Sequence, residues 1–164
     1  MSTTEEDAQA GFRAHVLDLL RGRNAHLDFA TALQDLKETD RGRKPAGSPH
    51  TIWQLVEHLR IAQDDILKFS KDARHASPKW PEGYWPPSEA PADNAAWEAS
   101  LAEFRHDLRA FSDLIADPKN DLLTPLPHAP EHQTLLREAL VLADHNSYHL
   151  GQIVTVRKTL ESEL

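Results

Sequence analysis

The stretch LLREALVLADHNSYHLGQIVTVRKTL, residues 135–160, carries apolar side chains at Leu135, Leu136, Ala139, Leu142, Ala143, Leu150, Ile153, Val156 and Leu160. Steps of three and four residues are the period of a helix that turns one face toward a core. The stretch follows Pro130 and Glu131 and predicts a helix running almost to residue 164. His145 and His149 lie inside it. Residues four apart differ by about 40° around a helix, so both imidazoles face the same way, one turn apart. His149 is in register with Leu142, Asn146, Ile153, Val156 and Leu160, and His145 sits at the edge of that stripe.

Three more stretches share the helical period. The first begins near Asp7 with Phe12, Val16, Leu19 and Leu20, is punctuated around Gly22 and Asn24, and resumes through Leu27, Phe29, Ala30, Leu33 and Leu36. The second opens after Ser48 and Pro49, a pairing that often starts a helix, and runs Ile52, Leu55, Val56, Leu59, Ala62, Ile66 and Phe69. The third starts at Asp93 or Asn94, both competent caps, and continues through Trp97, Leu101, Phe104, Leu108, Phe111 and Ile115. No stretch alternates with period two, so an all-α four-helix bundle is expected, as a single domain over residues 1–164.

Between the second and third helices lies a long connector, Ser77 to Ala92, containing Pro78, Pro81, Pro86, Pro87 and Pro91. A connection of that length can cross the whole bundle, which favours up-down-down-up order over a simple meander. Its Trp80, Tyr84 and Trp85 read first as anchors that pin the crossover to the bundle. The alternative is that they rim a ligand cleft.

The chain has ten histidines and no cysteine, so any metal must be held by nitrogen and oxygen. Chance alone gives roughly 0.5 pairs at the i, i+4 spacing in such a chain, so spacing by itself decides little. The sequence holds its own control. His128 and His132 share the spacing, but Pro127 and Pro130 prevent a helix through both. Position on the helix face is what separates the pairs. A third histidine, His58, falls on the apolar face of the second helix with Leu55, Ala62 and Ile66. Bundles build metal sites from side chains converging in this way, and three nitrogens with an open position describe a catalytic type of zinc site. The pattern leaves two readings open: one divalent ion on His58, His145 and His149, or core histidines satisfied by hydrogen bonds. His15, His26, His75 and His106 read as solvated surface, and His50 as a cap of the second helix or a neighbour of the same cavity.

What is missing narrows the chemistry. HNSYH lacks the glutamate that zincin proteases use as general base, and Glu57 and Asp144 adjoin ligands in sequence but diverge from them by roughly 100° around the helix. The net charge of -8 excludes a nucleic-acid surface. The basic knot from Arg41 to Lys44 sits beside Pro45 and Gly47 and reads as a solvated loop. No apolar run can span a bilayer, and the acidic start Met1 to Asp7 has no signal-peptide pattern, so a cytoplasmic protein is expected.

The strings Ile52-Trp53-Gln54-Leu55-Val56-Glu57-His58-Leu59 and Ala143-Asp144-His145-Asn146-Ser147-Tyr148-His149-Leu150-Gly151-Gln152 resemble the DinB/YfiT-like family of metalloenzymes. Asn24-Ala25-His26, Trp80-Pro81-Glu82-Gly83-Tyr84-Trp85 and Arg157 resemble one bacterial branch of it, so the likeness covers essentially the whole chain. The resemblance implies a four-helix bundle, commonly dimeric, with a divalent metal on His58, His145 and His149. Zinc or nickel comes first among the ions suited to imidazole, with iron or copper behind. Relatives include S-transferases and an isomerase that use low-molecular-weight thiols, and others described as hydrolases. The implied activity is a metal-dependent transferase or hydrolase of a small molecule. The other class is a non-catalytic ligand-binding or interaction module whose metal site is structural or vestigial.

Overall fold

The computed structural model describes residues 3–22, 24–130 and 132–163, with side chains from residue 8 onward. Glu131, placed by the sequence at the start of the last helix, lies outside them, as do Met1 and Ser2. Among the described residues there are five helices and no strand: α1 Thr3–Arg21, α2 Phe29–Leu33, α3 Ile52–Lys71, α4 Asn94–Ala116 and α5 Leu135–Ser162. The chain is all-α, as the periodicity predicts. The first stretch divides where its punctuation falls. Gly22 takes φ +70° and its N–H returns to the Leu19 carbonyl, a left-handed stop that suits glycine. Asp28 then caps the short α2 by accepting from the Thr31 N–H.

Other boundaries differ from the sequence reading. Ser48 and Pro49 do not open α3; Thr51 does. Its hydroxyl accepts from the Gln54 N–H while the Gln54 side chain accepts from the Thr51 N–H, a complete capping box. Likewise α5 starts at Leu135 under a Thr134 cap, not directly after Pro130. Thr51 is fully buried, and its hydroxyl also donates to the Glu89 carbonyl at 2.7 Å. Thr51→Ala is therefore expected to cost about 1–2 kcal/mol, read as a lower urea midpoint. An unchanged midpoint would mean that the cap adds nothing to the fold.

Two apolar clusters make the core. In one, Leu55, Val56 and Leu59 of α3 pack with Trp97, Leu101 and Phe104 of α4 and with Ile153, Val156 and Leu160 of α5. In the other, Val16 and Leu20 of α1 pack with Leu67, Phe111, Ile115, Ala139 and Leu142. Between helices, Glu57 pairs with Ser100, Arg60 with Glu103, and Gln63 with the Phe104 carbonyl. Residue numbers thus rise together along the α3–α4 seam. Along α3–α5 they run oppositely, His58 meeting His149 and Gln63 meeting Asn146. Arg157 of α5 donates to the Ala32 carbonyl and holds α2 against the bundle. No helix among the described residues is long and apolar enough to cross a membrane.

The proline-rich connector lies back along α3. His75 and Tyr84 both reach Asp65, Trp85 stacks on His58, Trp53 donates to Ser88 and Thr51 to Glu89. It therefore touches α3 from near its C-terminal end to its cap.

Candidate metal centre

The three histidines singled out from helix register meet at the α3–α5 seam. The Nε2 atom of His58 lies 3.1 Å from Nε2 of His149 and 3.0 Å from Nε2 of His145. One ligand atom from each falls within 4.8 Å of the other two. His58 and His149 are buried and His145 is half-buried. Packing fixes this placement, since Leu55 and Ala62 share the face of His58, Leu142 and Ile153 share that of His149, and all four are buried.

The outer nitrogens set the tautomers. Nδ1 of His58 lies 2.8 Å from the Tyr84 carbonyl, which only accepts, so Nδ1 carries the proton. Nδ1 of His149 lies 2.7 Å from Oε1 of Gln152 and donates in the same way. Both Nε2 atoms then present bare lone pairs to each other. A proton on Nε2 of His145 would serve one of them and leave the other unsatisfied in a buried site. A cation serves all three. Two nitrogens on one tetrahedral zinc stand about 3.3 Å apart, from bond lengths near 2.0–2.1 Å, so the two spacings from His58 fit such an ion within a few tenths of an ångström.

Electrostatics keeps the ligands neutral. Burial lowers the pKa of His58, opposed by its bond to the Tyr84 carbonyl and aided by His149 and His50. Burial and the two neighbouring imidazoles push His145 down to about 4. His149 is lowered by burial, against the Gln152 bond. Among the described residues no carboxylate joins the cluster. Glu57 turns away to Arg60, at 2.8 and 2.9 Å, and to Ser100 at 2.6 Å. Burial pushes its carboxyl up, but those two partners hold it below the ordinary value. Asp144 is exposed.

Around the ligands stands a wall that helix periodicity does not reveal. Trp85 is sandwiched between His50, at 3.9 Å and 15°, and His58, at 4.0 Å and 3°. His50 is therefore no helix cap; it leans over the cavity. Tyr84 ties the wall down, its hydroxyl donating to Asp65 at 2.6 Å. Burial and that carboxylate push the phenol up to about 12. Tyr84 and Trp85 thus anchor the connector and line the site together, whereas Trp80 is 72% exposed. Three histidines assigned to open solvent or to the loop have partners. His75 bonds Asp65 at 2.7 Å, His26 bonds Ser147 at 2.9 Å, and His128 bonds the Phe69 carbonyl at 2.8 Å. His128 and His132 do not join the cluster, whereas His15 and His106 are exposed as expected.

A cleft of about 560 Å³ opens between the Pro45–Pro49 loop and α5. It reaches the site at His50, Tyr148 and Gln152. Tyr148 packs edge-on against His149 at 4.8 Å, and Gln152 holds the proton of His149. A ligand in this cleft would therefore lie beside the cluster.

The family model described as the DinB superfamily matches residues 13–153, a span that includes all three histidines. Neither the curated proteins nor the solved structures give a match.

Proposed function

The chain belongs to the DinB superfamily, and on that premise we propose that it is a metal-dependent enzyme acting on a small molecule, with His58, His145 and His149 as the ligands of one divalent ion. The observation that carries the reading is the pair of bare Nε2 lone pairs facing each other 3.1 Å apart. The donor set suits zinc or nickel, then iron or copper. Bound there, the ion supplies a Lewis acid that lowers the pKa of a thiol or water to give a nucleophile at neutral pH. The chain's own residues do the rest. The Tyr84 carbonyl and Gln152 hold protons at Nδ1 and aim the lone pairs inward. Trp85 covers one face of His58 and keeps water from it.

The reaction class is transferase or hydrolase, with a low-molecular-weight thiol as co-substrate in the first case and a cytoplasmic homodimer as the assembly. The seam registers support up-down-down-up order, with the connector as crossover between the second and third long helices. A second reading, a binding module with a structural or vestigial metal site, draws on the absence of any carboxylate beside the cluster among the described residues. Thiol addition to a chromogenic aryl halide separates the two. Zinc- or nickel-loaded protein is expected to exceed background at least tenfold and to lose the excess to a chelator. A rate that stays at background, with His58→Ala lowering only the melting temperature, would leave the second reading standing.

A further inference from the structure

We infer that the cleft beside the histidine cluster, in the metal-free protein, takes an uncharged small molecule that both donates and accepts hydrogen bonds in preference to a carboxylate or phosphate. The inference rests on the proposed function for its catalytic meaning, but its binding content stands on the cleft alone.

Among the described residues, none that line the cleft is Asp, Glu, Lys or Arg, in a chain that is 27% charged. The nearest cation by sequence, Lys44, is paired with Glu89. Without a metal ion on the histidines, an anion entering the cleft therefore meets no cationic side chain among those that line it, and giving up water without a counter-ion is disfavoured. The chain's net charge of -8 adds to that penalty for anions.

The hydroxyls of the cleft carry the second half of the inference. Ser48 donates to the His50 carbonyl at 2.7 Å, Thr155 to the Gly151 carbonyl at 2.9 Å, and Thr159 to the Thr155 carbonyl at 3.0 Å. Their protons are spent within the chain, so each turns lone pairs outward. These lone pairs welcome an O–H or N–H, which a carboxylate lacks, while the Gln152 amide nitrogen and the Tyr148 hydroxyl in the same lining supply donors for a carbonyl or hydroxyl oxygen. Pro49, Leu55 and Val156 supply apolar wall for a carbon skeleton. The cleft's volume falls in the range of small-molecule sites. An alcohol or amide on a compact hydrocarbon frame satisfies every one of these surfaces.

Phenylacetamide and phenylacetate share a shape and differ in charge and in donor capacity, so they make the test. Each is titrated at pH 7.5 into zinc-loaded protein and into chelator-treated protein, following the amide resonances of Ala46, Gly151 and Thr155. In chelator-treated protein phenylacetamide is expected to shift them with a Kd at least tenfold below that of phenylacetate, and zinc, a cation beside the cleft, is expected to narrow that gap. Thr155→Arg places a cation on an exposed turn of α5 and is expected to close most of that gap. Equal or tighter binding of phenylacetate to the unaltered, chelator-treated protein overturns the inference, as does the absence of a shift with either probe. Failure of the metal reading looks different: zinc does not bind, while the preference for the amide persists.

Discussion

His149→Ala is expected to weaken zinc binding roughly 100- to 1,000-fold, measured by titration against a competing chelator. Structural zinc sites bind with about 10–16 kcal/mol in total, so one of three protein ligands carries several kcal/mol, and each 1.4 kcal/mol is a factor of ten. His58→Ala and His145→Ala are expected to fall in the same range, because the Nε2 atoms of His145 and His149 both lie within 3.1 Å of that of His58. Gln152→Ala keeps every ligand and removes only the acceptor that holds the proton on Nδ1 of His149. It is expected to cost less, roughly 10- to 100-fold, the usual range for outer partners of a metal ligand. The metal-free melting temperature separates this account from one of hydrogen-bonded core histidines. Removing an imidazole leaves a cavity but also relieves two facing lone pairs, so opposing effects nearly cancel. In the metal account, His149→Ala leaves the metal-free protein within a few degrees of the parent and abolishes the stabilisation by zinc. A loss of ten degrees without metal, and no response of the parent to zinc, would make the cluster a core network instead.

The parts of this site that were legible in sequence share one property: they lie on long helices whose faces are fixed by repeated apolar residues. His58 is flanked by Leu55 and Ala62, and His149 by Leu142 and Ile153, all buried. Once the helices pack, their histidines have nowhere else to point. Tyr84 and Trp85 were harder to place because no period governs a proline-rich connector, and His50 because it stands in the loop just before the Thr51 cap. Its path is set by tertiary contacts such as Tyr84 on Asp65 and Trp53 on Ser88, between residues that sequence spacing does not relate. The same cause moved His75 from solvent to a carboxylate, since the loop beside the breakers folds back onto α3. The start of α3 is a different case. Thr51 and Gln54 spell a capping box in the sequence itself, but the Ser48-Pro49 pair is the louder local signal. Local propensity offered two starts, and packing of the connector against Thr51 selected one.

Acid is expected to destabilise the metal-free protein well before its exposed carboxylates titrate. His145 has a pKa of about 4 in the folded chain against an ordinary 6.5, with burial as the first cause and the neighbouring imidazoles behind it. Between those two values the unfolded chain binds a proton that the folded chain refuses, so unfolding takes up protons and stability rises with pH. The contribution is complete above pH 6.5 and is lost as pH falls toward 4. For this one group the loss is about 1 kcal/mol between pH 7.5 and 5.5, and about 3 kcal/mol by pH 4. His58 and His149 are lowered as well and act with the same sign. Urea denaturation of chelator-treated protein at pH 7.5, 6.5 and 5.5 measures the slope above the range in which most carboxylates protonate. His145→Asn removes the titrating group and is expected to flatten that slope, while a surface control, His106→Asn, is expected to leave it alone. A parent protein equally stable at pH 7.5 and 5.5 would mean that His145 accepts a proton in the folded state, which the crowding of three imidazoles opposes. The metal responds differently over the same interval. Because burial lowers the pKa of all three histidines, folded protein is expected to hold its zinc at a pH where exposed histidines would already exchange it for protons. Zinc release is therefore expected to follow unfolding in acid, with both transitions at the same pH. A release completed a full pH unit above unfolding would place the ligand protonation in the folded state and overturn the account of burial given for this cluster.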